Sequence, residues 1–101
     1  MDKEKNILNS KVSIIILNWN GLKDTIECLE SLKKITYPNY EVIVVDNGSE
    51  GNDVDILEEQ YKDYIRVIRN KENLGFTGGN NVGIRKVLEE GKSEYILLLN
   101  N

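Results

Sequence analysis

The chain has 101 residues, and 13 Lys plus Arg against 17 Asp plus Glu leave it at −4 with no histidine. At 40% hydrophobic and 30% charged it reads as one ordinary globular domain, which buries roughly 60–70% of its unfolded surface and needs no disulfide or metal to hold together. Without histidine, Ser-His-Asp and Cys-His triads and HExxH zinc sites cannot be built within the chain; the single cysteine excludes an intrachain disulfide, and the acidic balance with no basic stripe argues against nucleic acid.

Residues 1–10, MDKEKNILNS, lack the apolar centre of a signal peptide and are expected to form a flexible polar lead-in. Val12 to Asn18, VSIIILN, is β-branched and apolar on both faces, which suits a central parallel strand stopped by Asn18-Trp19-Asn20-Gly21. Leu22, Ile26, Leu29 and Leu32 recur at helical spacing, with Lys23, Glu27, Glu30 and Lys33 on the other side, so a helix is expected to end near Lys34. A turn at Tyr37-Pro38-Asn39 leads to a second buried strand, Glu41 to Val45, ending in Asp46-Asn47-Gly48-Ser49.

Val54, Leu57 and Tyr61 mark a second helix, with Asn52 and Asp53 as candidate caps. Ile65 to Arg69 alternates arginine with aliphatics, as expected of an edge strand. Asn70 to Asn80 reads as a long glycine-containing loop, and Ile84, Val87 and Leu88 as a third helix closed by Gly91. Tyr95 to Leu99 is the fourth strand. The fold class is therefore α/β, a Rossmann-like open parallel sheet in the order β-α-β-α-β-α-β. Neither Ile14–Leu17 nor Ile96–Leu99, the longest purely aliphatic runs, could cross a bilayer.

In an open parallel sheet, ligands collect beyond the carboxyl ends of the strands, most often where strand order reverses. Asn18-Trp19-Asn20-Gly21, Asp46-Asn47-Gly48-Ser49 and Asn100-Asn101 stand at three such ends. The same residues are common turn formers, and both readings stay open on local pattern alone. Gly75-Phe76-Thr77-Gly78-Gly79 does not follow the first strand and lacks a GKS or GKT sequence, so it is neither a dinucleotide fingerprint nor a Walker loop. It supplies backbone N–H groups near a helix start; alternatively Gly78, Gly79 and Gly83 permit close helix–sheet packing.

VSIIILNWNG, YEVIVVDNGS, NLGFTGGNNVGI and YILLLNN, in this order and spacing, resemble the N-terminal half of inverting family 2 glycosyltransferases with the GT-A fold, especially the rhamnosyltransferase-type branch. The resemblance runs from Lys11 to Asn101 and makes residues 11–101 a truncated GT-A nucleotide-sugar-binding domain. It implies strand order 3-2-1-4 and a UDP- or dTDP-linked sugar bound over the first, second and fourth strand ends. Asp46 matches the family aspartate that contacts the base or ribose, and Asn18, Trp19 and Asn20 match the loop around the base. Trp19 either stacks on the base or caps the core. Gly75, Gly79, Asn80 and Asn81 fall in the motif beside nucleotide and sugar, with Asn80 where many members carry arginine.

Asn100 takes the place of the first aspartate of the family's Asp-x-Asp metal motif, whose last position lies past Asn101. The resemblance thus implies a parent that uses Mg²⁺ or Mn²⁺ to neutralise the leaving diphosphate. It also implies a general base in a second half, and a fragment with nucleotide affinity but no turnover. The expected acceptor is a glycan or lipid-linked hydroxyl, and the expected location is cytoplasmic, at the inner membrane surface for the parent. The open side of the fourth strand is expected to support self-association. Two other readings were weighed: a sugar nucleotidyltransferase, which expects a basic glycine-rich loop after the first strand, and a non-catalytic α/β interaction module. Cys28 reads as a buried thiol rather than a reactive one, and Glu58-Glu59 and Glu89-Glu90 as solvated faces. Lys23, Arg69, Lys71 and Arg85 are surface charges or phosphate contacts.

Overall fold

The computed structural model describes residues 9–99. Its elements in chain order are β1 (Val12–Asn18), α1 (Leu22–Leu32), β2 (Tyr40–Asp46), α2 (Asp53–Tyr61), β3 (Ile65–Arg69), α3 (Gly75–Glu90) and β4 (Tyr95–Leu99). The strands form one sheet in the order β3-β2-β1-β4, and every neighbouring pair is parallel. This is the α/β, Rossmann-like arrangement expected from the element order, with the strand order 3-2-1-4 that the resemblance implies.

Pleating sends alternate residues of each strand to opposite faces. Ile14 and Ile16 of β1 and Val42 and Val44 of β2 pack with Leu29, Leu32, Leu57 and Tyr61, so α1 and α2 cover one face. Ile15, Ile43 and Val45 point the other way and pack with Val87 of α3. Because β1 and β2 are covered on both sides, their sequences are continuous aliphatic runs rather than alternating ones. Burying each such side chain stabilises the fold by about 1.5–3 kcal/mol.

The third helix differs most from the sequence reading. It starts at Gly75, so the expected loop Asn70–Asn80 is cut short. Its glycines are weak helix formers, costing about 1 kcal/mol each relative to alanine, but the sheet requires two of them. A Cβ on Gly79 would lie 2.5 Å from Leu17 Cδ1, and one on Gly83 would lie 3.0 Å from Ile15 Cγ2. Close approach to β1 therefore overrides local propensity. Leu88, one of the apolar residues that mark this helix in the sequence, is 68% exposed, because Val87 takes the inward position. The first helix ends at Leu32 with Lys33 as its cap, slightly before the expected Lys34, and Gly91 closes α3 in the left-handed region at φ 64°.

The two sheet edges are unlike each other. On β3, Arg66 donates from both terminal nitrogens to the Glu90 carboxylate at 2.8 Å, and Arg69 donates to Asp55 at 2.9 Å and Glu58 at 2.8 Å. Charged, ion-paired side chains of this kind discourage a further strand. On β4, Tyr95, Leu97 and Leu98 are exposed, with no charge within the strand. Of the expected lead-in 1–10, residues 1–8 lie outside the described residues. The Asn9 carbonyl accepts from Asn39 Nδ2 at 2.6 Å and the Ser10 carbonyl from the Tyr37 hydroxyl, so these two positions are tied to the turn before β2.

Candidate functional site

The carboxyl ends of β1 and β2 are in direct register, Asn18 opposite Asp46. Both side chains are buried, Asn18 at 1% and Asp46 at 3% exposure, and they are bonded to each other: Asn18 Nδ2 donates to Asp46 Oδ1 at 2.9 Å. The same amide lies 3.1 Å from Asp53 Oδ2 and 3.3 Å from Ser49 Oγ. Its carbonyl oxygen accepts from the Thr25 hydroxyl at 2.6 Å. One asparagine therefore joins β1, α1, the loop after β2 and the first turn of α2. Asp53, expected as a helix cap, spends its carboxylate on this contact, and Asn52 holds the cap position without a side-chain bond.

Asp46 is a hub of the same network. Ser49 donates twice to it, from its hydroxyl to Oδ1 at 2.6 Å and from its backbone N–H to Oδ2 at 2.9 Å. With the Asn18 bond this fills three of the roughly four acceptor positions of a carboxylate. The aspartate expected to contact a ligand therefore does most of its hydrogen bonding internally, with one acceptor position left. It lines a polar cleft of about 160 Å³ together with Gly48, Ser49, Asn70, Arg69 and Lys71.

Trp19 and Asn20 follow Asn18 outward. Trp19 is 50% exposed and belongs to neither core cluster, so it does not cap the core. Asn20 is the only non-glycine residue in the left-handed region among the described residues, at φ 48°. Asparagine tolerates that region because its short polar side chain can bond locally, and here Oδ1 accepts from Glu50 N–H at 2.9 Å. Asn20 N–H donates to Ser49 Oγ at 2.9 Å.

On the α3 side, Asn47 organises the approach to the third helix. Its Nδ2 donates to Asn73 Oδ1 at 2.9 Å and to the Gly75 carbonyl at 3.0 Å. Its Oδ1 accepts from Leu74 N–H at 3.0 Å and Asn70 Nδ2 at 3.1 Å. Gly79 packs directly against this residue and Leu17, so close helix–sheet packing accounts for it. Asn80 is buried, and its amide donates to the Phe76 carbonyl one turn back at 3.0 Å; Asn81 is exposed on the same helix. Asn100 lies outside the described residues.

The expected residues Asn18, Trp19, Asn20 and Asp46 thus come together at one edge, with Gly75 and Gly79 tied to it through Asn47. The site also takes in Thr25, which no sequence pattern marks, Asp53, which reads in the sequence as a helix cap, and the linking residues Asn47 and Ser49. The signal available for the last two was their place in Asp46-Asn47-Gly48-Ser49 at a strand end. No buried side-chain nitrogen or oxygen among the described residues lacks a partner.

Residues 13–101 match the family model described as glycosyl transferase family 2. The chain belongs to glycosyl transferase family 2. It is 29% identical over 96 residues to the glycosyltransferase GlyG of Streptococcus pneumoniae, covering 93% of this chain and 31% of that protein. An uncharacterized glycosyltransferase of Haemophilus influenzae is 36% identical over 90 residues, 89% of this chain and 29% of that protein. The poly(ribitol-phosphate) beta-glucosyltransferase of Bacillus spizizenii is 33% identical over 93 residues, 90% of this chain and 14% of that protein. The chain spans less than a third of the length of each of these relatives.

The family-2 domain carries few other chemical candidates. Among the described residues no group of three or more His, Cys, Asp or Glu could hold a metal ion, so the expected divalent ion is assigned to none of them. Cys28 is half-buried and unbonded to another cysteine, and burial raises its thiol above the usual range, as suits an inert packing residue. No helix among the described residues is long and apolar enough to cross a membrane.

Proposed function

We propose that this family-2 domain binds the nucleotide of a nucleotide-diphosphate sugar, UDP- or dTDP-linked. In the whole protein the sugar would pass to an acceptor hydroxyl with inversion. The observation that carries the reading is the bonded pair of strand-end loops, Asn18-Trp19-Asn20 and Asp46-Asn47-Gly48-Ser49, at the carboxyl edge of a parallel sheet. Strand order reverses beside that edge, between β1 and β4, and such a reversal opens a crevice for a ligand. In this reading Trp19 offers its exposed indole to the base, and Asn20 lines the same loop. Asp46 takes a base N–H or ribose hydroxyl with its remaining acceptor position. Gly75, Gly79, Asn80 and Asn81 form the neighbouring wall, and Asn100 stands past the end of β4.

The rest of the assignment follows the rhamnosyltransferase-type branch, with this chain corresponding to the N-terminal, nucleotide-binding half of its GT-A fold. Inversion requires the acceptor oxygen to attack the anomeric carbon opposite the departing diphosphate, with a base to take its proton. No described residue is assigned that role, so turnover by residues 1–101 alone is not expected. Mg²⁺ or Mn²⁺ would be held by residues outside 9–99. The acceptor is proposed to be a glycan or a lipid-linked precursor of a cell-surface polymer, handled at the cytoplasmic face of the membrane. The names of relatives that act on poly(ribitol-phosphate) or make poly(glycerol phosphate) support this. The uncharged, exposed β4 edge supports self-association of the domain.

Titration of the chain with UDP, dTDP and, as a control, ADP tests the reading. Saturable binding of a pyrimidine nucleotide with weaker binding of ADP is expected. Equal or no response to all three would refute it.

A further inference from the structure

Two bonds in the strand-end network hold a loop rather than a strand. Asn20 is fixed in the left-handed region by its N–H bond to Ser49 Oγ and by the Glu50 N–H that its side chain accepts. Ser49 Oγ is itself oriented, because it donates to Asp46 Oδ1 at 2.6 Å. On the other side of Trp19, Asn18 is buried and bonded to Asp46 and Thr25. Trp19 therefore lies between two anchored neighbours while half of its surface faces water. An exposed indole next to a left-handed asparagine is unfavourable in isolation. A short loop held this way before any ligand arrives loses little conformational freedom on binding.

We propose that Ser49 is a positioning residue, acting through Asn20 to hold Trp19 as a pre-set platform for the flat face of a nucleotide base. The inference rests on the nucleotide-binding reading above. Ser49 does not touch the base. Its hydroxyl converts the fixed charge of Asp46 into a fixed acceptor for the Asn20 backbone, so the order of β2 is passed to the loop after β1.

Trp19 is the only tryptophan in the chain, so fluorescence anisotropy reports on this loop alone. Anisotropy of the free protein, melting temperature and affinity for UDP and dTDP are compared in wild type, Ser49→Ala, Ser49→Thr and Asn20→Gly. Ser49→Ala is expected to lower the anisotropy and to weaken nucleotide binding about three- to tenfold, the factor corresponding to one lost hydrogen bond. Ser49→Thr, which keeps a hydroxyl, is expected to restore both. Asn20→Gly adopts the same backbone angle but removes the side-chain bond to Glu50 N–H and frees the backbone, so it tests the Asn20 link to Trp19 if Ser49→Ala does not fold, with the same two losses expected. Variants that melt at a lower temperature but keep the wild-type anisotropy and affinity overturn the proposal, as does a loosened Trp19 that binds nucleotide unchanged. A wild-type chain that binds neither nucleotide overturns the underlying reading instead.

Discussion

Asn18 and Asp46 are register partners on adjacent strands, and the amide of the first donates to the carboxylate of the second at 2.9 Å. The bond closes a buried polar network with every member satisfied, which makes the network stabilising as a unit and costly to break at one point.

Asp46→Ala should lower the unfolding free energy by about 2–3 kcal/mol, because it removes together the bonds from the Asn18 amide, the Ser49 hydroxyl and the Ser49 N–H. Asp46→Asn keeps one carbonyl oxygen and should cost less. Urea unfolding of the three proteins measures the difference. Equal stability of Asp46→Ala and wild type would contradict the network described.

Gly79→Ala should cost about 1–3 kcal/mol, the range for overpacking a filled interior, since the new methyl would lie 2.5 Å from Leu17 and 2.9 Å from the Asn47 amide. Gly51→Ala is the control. Nothing lies within 4 Å of a Cβ there, and a change within about 0.5 kcal/mol is expected. Thermal unfolding of both variants distinguishes close packing from a mere gain of helix propensity, which would make Gly79→Ala stabilising.

Alkaline pH should destabilise the fold through two phenols. Burial and a hydrogen bond to Glu30 push Tyr61 up to about 12, and burial with the Tyr40 hydroxyl raises Tyr64 further. Between about pH 10, where an unfolded tyrosine ionises, and these raised values, the unfolded chain gives up protons that the folded chain keeps. Stability is therefore whole below that window and falls through it. Tyr61→Phe should flatten the decline, which a series of denaturation curves above neutral pH would reveal.

The two edges of the sheet lead to a prediction about association. Sedimentation of the wild-type chain should depend on concentration, and Leu97→Lys, which places a charge in β4, should make it monomeric. The same substitution on the guarded side is not needed, because Arg66 and Arg69 already occupy it. A wild type that remains monomeric at high concentration removes the case for pairing through β4.

Strands and the first two helices were legible because their apolar residues carry a clear period: Val54, Leu57 and Tyr61 are all buried as spaced. The start of α3 was not, since glycines that look like loop formers are there to let a helix approach Leu17 and Ile15. That requirement comes from another part of the chain and leaves no local trace. The strand-end residues were legible as a group, but not their wiring. Which asparagine faces which aspartate depends on register, and register appears only once β1 and β2 are side by side. Asp53 could be read as a helix cap and Thr25 as one more polar residue of α1; only the folded chain shows both meeting Asn18.

β1 sits between β2 and β4, so this strand, made before the other three of its sheet, acquires its second neighbour only when β4 has been made. Until then one flank of Val12–Asn18 has nothing to bond with. Contacts so distant along the polymer form slowly, and a nascent chain in that condition is exposed to wrong pairings and to capture by chaperones. Any delay in making the stretch between Gly75 and Leu99 would lengthen that exposure.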